Sequence, residues 1–134
     1  MTAFGADVKG YKGKDTHVDL FVGSELAPRF FGWGIPTGPN EGRIGIATTL
    51  PHKPMPFFRD YFLKGAPSKL LGGAKIINLI SGLIPFGVAS PSYTDNIILT
   101  GDAAGMAKPT SGGGIYSGLI LSLIHISEPT RPLD

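Results

Sequence analysis

One stretch of the chain carries residue types and spacing suited to ligand chemistry. It runs Ile97-Ile98-Leu99-Thr100-Gly101-Asp102-Ala103-Ala104-Gly105 and continues Met106-Ala107-Lys108-Pro109-Thr110-Ser111-Gly112-Gly113-Gly114-Ile115. A β-branched run ends in a Gly-Asp corner, passes through small residues, and meets a helix start at three glycines. Asp102 can accept hydrogen bonds from a sugar hydroxyl. Gly112, Gly113 and Gly114 let backbone N–H groups approach a diphosphate, and the helix N-terminus adds partial positive charge. Together these are the pieces that hold a phosphorylated, ribose-like ligand. Taken singly, an Asp such as Asp102 is more often a cap or turn acid than a ligand contact, and the glycines alone suit a flexible loop.

The remaining reactive side chains are sparse. No cysteine is present, which excludes disulfides, thiolate catalysis and Cys-based zinc sites. His17 and His52 lie in a polar strand start and a proline loop, without the neighbours that a metal site or a catalytic pair needs, so no metal is expected. Lys108 suits either an anionic ligand or solvent. Lys9, Lys12 and Lys14 suit either lipid phosphate or an exposed loop. The net charge of +2 over 134 residues, with no Arg/Lys cluster among aromatics, argues against nucleic acid. The longest apolar run, Ile76 to Val88, is broken by Asn78, Ser81, Gly82 and Pro85, and the N-terminus lacks a signal-peptide pattern. The expectation is a cytoplasmic chain, soluble or in peripheral contact with a membrane.

Elements able to position these residues follow from periodicity. Residues 16–22 alternate polar and apolar and predict a strand. The aromatic segment Ala27–Pro36 and Arg43–Thr48 predict two paired strands around a turn at 37–42, with Ile44 and Ile46 on one face. Prolines 51, 54 and 56 mark a loop, and Phe57–Lys64 predicts a short helix stopped by Gly65. Lys75–Pro85 reads as extended, Asn96–Thr100 as a buried strand, and Thr110–Ile120 as a helix. Period two places Phe31 and Trp33 on one face and Phe30 on the other, so Phe31 and Trp33 either pack a core or line a cavity.

Two motifs resemble one family. The Gly101–Gly105 corner, with Lys108-Pro109-Thr110 and Gly112–Ile115, resembles the second FAD-binding motif of glutathione-reductase-type flavoproteins. In that group the Asp contacts the ribityl chain and the helix points at the flavin, where its dipole favours the negative charge of the reduced ring. Gly at position 105, where aromatic hydroxylases more often have His, is similar to the geranylgeranyl reductase branch. Pro28-Arg29-Phe30-Phe31-Gly32-Trp33-Gly34-Ile35-Pro36, followed by Gly42-Arg43-Ile44-Gly45-Ile46, resembles that family's aromatic-Trp-x-x-Pro segment and the next strand, which line an isoprenoid cavity.

The resemblance covers residues 17–120 and implies an α+β or α/β fragment. It would join an antiparallel substrate-domain sheet (1–90) to the final strand and helix of a FAD domain (91–120). It implies FAD held by Gly101, Asp102, Pro109, Gly112, Gly113 and Gly114, and an isoprenoid lipid substrate against Phe31, Trp33 and Pro36. The implied reaction is reduction of geranylgeranyl double bonds in membrane lipid precursors, with hydride from the flavin. No residue stands out as the catalytic acid, and the electron donor is not legible. The alternatives are a flavin-dependent monooxygenase of the aromatic hydroxylase group and a non-catalytic lipid-binding fragment. Gly-x-Gly-x-x-Gly is absent, so the chain is expected to be inactive alone. Leu121–Arg131 is similar to a translated sequencing adapter, so 121–134 is expected to be non-native and His125 to carry no function.

Overall fold

The computed structural model describes residues 1–127. The chain forms two compact units that divide after Leu83. The first is a five-stranded antiparallel sheet in the order β2-β3-β4-β1-β5. Its strands are β1 (Thr2–Lys9), β2 (Asp19–Val22), β3 (Phe31–Gly38), β4 (Glu41–Thr48) and β5 (Lys75–Leu83). β3 and β4 form the predicted hairpin, turning through Pro39 and Asn40, with Asn40 at φ 59°. β1 lies inside the sheet, between β4 and β5, although it comes first in the chain and is not evident from periodicity. Its Phe4, Ala6 and Val8 face the core, while Ala3, Gly5 and Asp7 face the other side.

Several boundaries differ from expectation. β2 begins only at Asp19, because Lys14–His17 closes a turn through the His17 N–H to the Lys14 carbonyl, 3.1 Å. The predicted helix at 57–64 starts earlier, as α1 (Pro54–Phe57), where proline is tolerated at a helix start. It then widens into a π-helical turn over Phe58–Phe62. A second short helix, α2 (Ser68–Leu71), precedes β5.

The core lies on one face of the sheet. Ala6, Val8, Tyr11, Ile44 and Ile46 pack with Phe58 and Phe62, all buried. Phe58 and Phe62 stack at 5.5 Å, and their neighbours Phe4 and Phe21 meet them edge-on. The rings reach the backbone because β3 presents glycine on this face: a Cβ at Gly32 would fall 2.5 Å from the Phe62 ring. Tyr11 likewise occupies the space above Gly34 and Gly42, and its hydroxyl donates to Asp19 Oδ2 at 3.2 Å.

The second unit, from Ile84, departs most from expectation. Asn96–Thr100 is not a buried strand. The Thr94 N–H donates to Ile97 and the Leu99 N–H to Ser92, so residues 92–99 close into a small hairpin with Ile97 and Ile98 exposed. A β-branched run is buried as a parallel strand only with a strand on each side. Among the described residues its one bridge is Tyr93 to Ile98. The predicted helix over 110–120 is observed as α3 (Ile115–Ser127). Residues 110–114 belong instead to a turn, in which the Ser111 and Gly112 N–H groups donate to the Lys108 carbonyl and Gly112 adopts φ 69°. Of the adapter-like segment, residues 128–134 lie outside the described residues. No described helix is long and apolar enough to cross a membrane.

Gly32→Ala should lower stability by about 1–3 kcal/mol, the usual range for overpacking, in urea denaturation. Gly82→Ala, where a Cβ meets nothing within 4 Å, should stay within about 0.5 kcal/mol of the parent. Burial, then the Asp19 charge and hydrogen bond, push the Tyr11 phenol up to about 12. A raised phenol favours the neutral form in the folded state, so its stabilising contribution is whole below about pH 10. It is lost as pH rises towards 12. Tyr11→Phe should therefore flatten the pH dependence of stability across that alkaline window.

Candidate functional site

The sheet face opposite the core carries the first candidate. Phe31 and Trp33 project there together, with ring centroids 6.2 Å apart and planes at 74°. Phe30, just before β3, stacks on Phe31 at 4.3 Å. Cross-strand register sets Trp33 beside Gly45, Gly45 beside Gly5, and Gly5 beside Ile80. The indole lies across Gly45, where a Cβ would come within 2.5 Å of Trp33 Cζ2. The result is a cleft of about 60 Å³ floored by glycine and walled by Trp33 and Ile80.

The cleft has one polar end. Two residues along each strand, the register aligns Ile35, Arg43, Asp7 and Asn78. Arg43 Nε donates to Asp7 Oδ1 at 2.8 Å, which holds the Asp7 carboxyl below its ordinary range, with Asn78 helping. Asp7 is therefore charged, and Arg43 is tethered through Nε at the mouth of the cleft. Pro36 is not brought to this wall. It falls on the alternate parity of β3, with Tyr11, Lys12 and Asn40 around a separate polar pocket at the hairpin end.

The second candidate is the Gly-Asp corner, described within its own unit. Gly101–Ala104 forms one 3₁₀ turn that ends in Gly105 at φ 68°. The Gly105 and Met106 N–H groups close it by donating to the Asp102 and Gly101 carbonyls, each at 3.0 Å. A side chain at 105 has no room, because the Gly87 carbonyl occupies the place of its Cβ. Gly112 and Gly113 follow Pro109 in the tight loop, where the Lys108 N–H donates to the Gly113 carbonyl at 3.0 Å.

Asp102 is exposed, and its carboxylate sits where a Cβ of Gly114 would be, at the start of α3. The acid and the first turn of α3 are thus brought together. The first N–H groups of a helix lack intrahelical partners, so this place favours an acceptor-bearing or anionic group. Ser117 Oγ donates within 3.0 Å of both the Met106 and Gly114 carbonyls, fixing the corner to the helix. Lys108 Nζ lies 5.8 Å from the Tyr116 ring centre.

Comparison with known proteins gives this geometry a context. No family profile matches the chain. It is 31% identical over 105 residues to digeranylgeranylglycerophospholipid reductase 2 of Methanococcoides burtonii, covering 75% of this chain and 25% of that protein. It is 28% identical over 115 residues to the digeranylgeranylglycerophospholipid reductase of Methanothrix thermoacetophila, covering 82% and 28%. The crystal structure of a geranylgeranyl bacteriochlorophyll reductase-like protein from Thermoplasma acidophilum superposes with TM-score 0.80 and 22% identity, over 94% of this chain and 32% of that one.

The chain belongs to the geranylgeranyl reductase family. It spans about a quarter of the length of the curated relatives it matches. A flavin-dependent brominase shares the fold, with TM-score 0.65 and 15% identity over 97% of this chain and 37% of the brominase. The aromatic segment forms an open sheet wall, and the corner forms a closed turn against a helix. Reading motifs alone missed Gly5, Gly45 and Arg43 as parts of the first site. The cue was available in Gly42-Arg43-Ile44-Gly45-Ile46, where glycine alternates with isoleucine opposite an aromatic strand.

The single tryptophan makes the cleft directly observable. Gly45→Leu should displace the indole and shift its fluorescence emission to the red, whereas Gly82→Ala at the cleft rim should leave the spectrum unchanged.

Proposed function

We propose that this chain forms part of a flavin-dependent oxidoreductase that saturates double bonds in isoprenoid chains of membrane lipid precursors. The observation that carries this reading is the apolar cleft of Trp33, Gly5, Ile80 and Gly82, ending at Arg43. A prenyl chain presents methyl and methylene groups to such a wall, each buried CH₂ contributing about 0.8 kcal/mol. The tethered guanidinium at the mouth suits the polar end of an amphiphile. The cleft is small, so it accounts for one stretch of a long chain.

The corner supports the flavin part. Its residues fit such a cofactor: an exposed acceptor at Asp102, a helix start free of side chain at Gly114, and a loop held by its own hydrogen bonds. Gly101, Asp102, Pro109, Gly112, Gly113 and Gly114 would hold it, and when bound it supplies the hydride. Asp102 would accept a hydrogen bond from a ribityl hydroxyl. The N-terminus of α3 would stabilise negative charge on the neighbouring ring edge. The apolar wall would exclude water from the double bond and hold it in place, with the cofactor carrying the chemistry. The same reading gives peripheral contact with the membrane, where the substrate resides, and a cytoplasmic location.

A chimaera tests this. Residues 1–120 replace the matching segment of the Methanothrix thermoacetophila protein, and products are followed by mass spectrometry. Gain of two hydrogens per double bond of a geranylgeranyl lipid is expected, with at least a tenfold loss of rate for Asp102→Ala. The chain alone should retain little or no FAD. Oxygen consumption with hydroxylation of an aromatic, and prenyl chains left unsaturated, would establish the monooxygenase reading instead.

A further inference from the structure

Outside both candidate sites, the segment between β4 and β5 exposes apolar and basic side chains together. Leu50 is 78% exposed, Met55 48% and Tyr61 52%, although α1 and the turn after it bury Pro54, Phe58 and Phe62 on the opposite side. Half-buried aromatic rings run between these exposed side chains, with Phe57 also touching the core. His52 meets Phe57 edge-on at 5.8 Å, and Phe57 meets Tyr61 at 5.8 Å. Lys53, Arg59 and Lys64 belong to the same stretch, all exposed. Asp60 is the one acid of the stretch 50–64. It binds Arg59 through two hydrogen bonds of 2.9 and 2.7 Å and lies 3.6 Å from Lys64. Three cations against one carboxylate leave the patch positive.

We infer that Leu50–Lys64 docks the protein on an anionic lipid surface. Leu50 and Met55 would enter the acyl boundary, the Phe57–Tyr61 pair would sit at headgroup depth, and Lys53, Arg59 and Lys64 would meet lipid phosphates. Apolar side chains rimmed by basic ones are the pattern that binds the membrane interface. Charge complementarity selects this occupant: a second copy would set one positive patch against another. β5 exposes Ile76, Ile77, Leu79 and Leu83 with cations at one end only, Lys75 and its cross-strand partner Lys9, and α3 carries no lysine or arginine. The inference rests on the membrane contact of the proposed function and names its surface, while its test concerns lipid headgroups and uses no isoprenoid.

Co-sedimentation of the full chain with sucrose-loaded vesicles tests it. Binding to vesicles of equal phosphatidylcholine and phosphatidylglycerol should exceed binding to phosphatidylcholine alone by at least tenfold, and should fall with added salt. Lys53→Gln with Lys64→Gln should lower partitioning roughly fivefold per cation. Leu50→Ser with Met55→Ser should lower it by tenfold or more, while Leu83→Ser leaves it unchanged. These side chains are exposed, and circular dichroism checks that each variant keeps its fold. Equal binding to both vesicle types overturns the inference. So does a loss with Leu83→Ser as large as with the patch variants, or tighter binding to a single-stranded oligonucleotide than to anionic vesicles.

Discussion

The sheet of the first unit depends on aromatic rings lying directly on backbone that carries no Cβ. Phe62 rests on Gly32, Tyr11 on Gly34 and Gly42, and, from the opposite face, Trp33 on Gly45. Glycine within a strand ordinarily weakens it, through entropy and the loss of a packing side chain. Here each missing side chain is replaced by a ring from elsewhere in the chain. Burial of these large rings offsets the glycine cost, and packing at this density leaves little freedom for the ring to move. Core and cleft are therefore two faces of one device.

The device also sorts the two faces by chemistry. On the core side, Tyr11 ties its hydroxyl to Asp19 and shuts that end of the sheet. On the other side, Gly45 lets the Trp33 indole lie on the sheet, the cleft opens beside it over Gly5, and Arg43 with Asp7 provides its polar limit. Arg43 and Asp7 are both partly exposed, so the pair contributes little to stability and more to holding the guanidinium in place. In the second unit positioning has another source. The corner and the loop after it close on their own backbone, and Asp102 meets the start of α3 without any strand ladder.

Legibility followed the range of the interactions. The β3–β4 hairpin is readable because its turn and alternation are local, and β5 because apolar pairs flank Ser81-Gly82. β1 was hidden: Thr2–Lys9 mixes glycine, charge and small residues, and becomes a strand only through pairing with β4 and β5. Asn96–Thr100 misled in the opposite direction, since a β-branched run signals a strand but cannot supply its neighbours. The start of α3 was placed too early because Thr110–Gly114 satisfies its hydrogen bonds within a turn instead of a helix.

Residue types alone determined the family motifs, the pairing of Phe31 with Trp33 on one face, and the need for glycine near Asp102. These are properties of local spacing and of side-chain chemistry. Tertiary structure decided which glycines matter and what they admit. It separated Pro36 from the aromatic wall, brought Arg43 and Ile80 to the cleft, and set the Gly87 carbonyl against Gly105. The reason is physical: a missing Cβ acquires meaning only from the group that fills its place, and that group comes from a distant part of the chain.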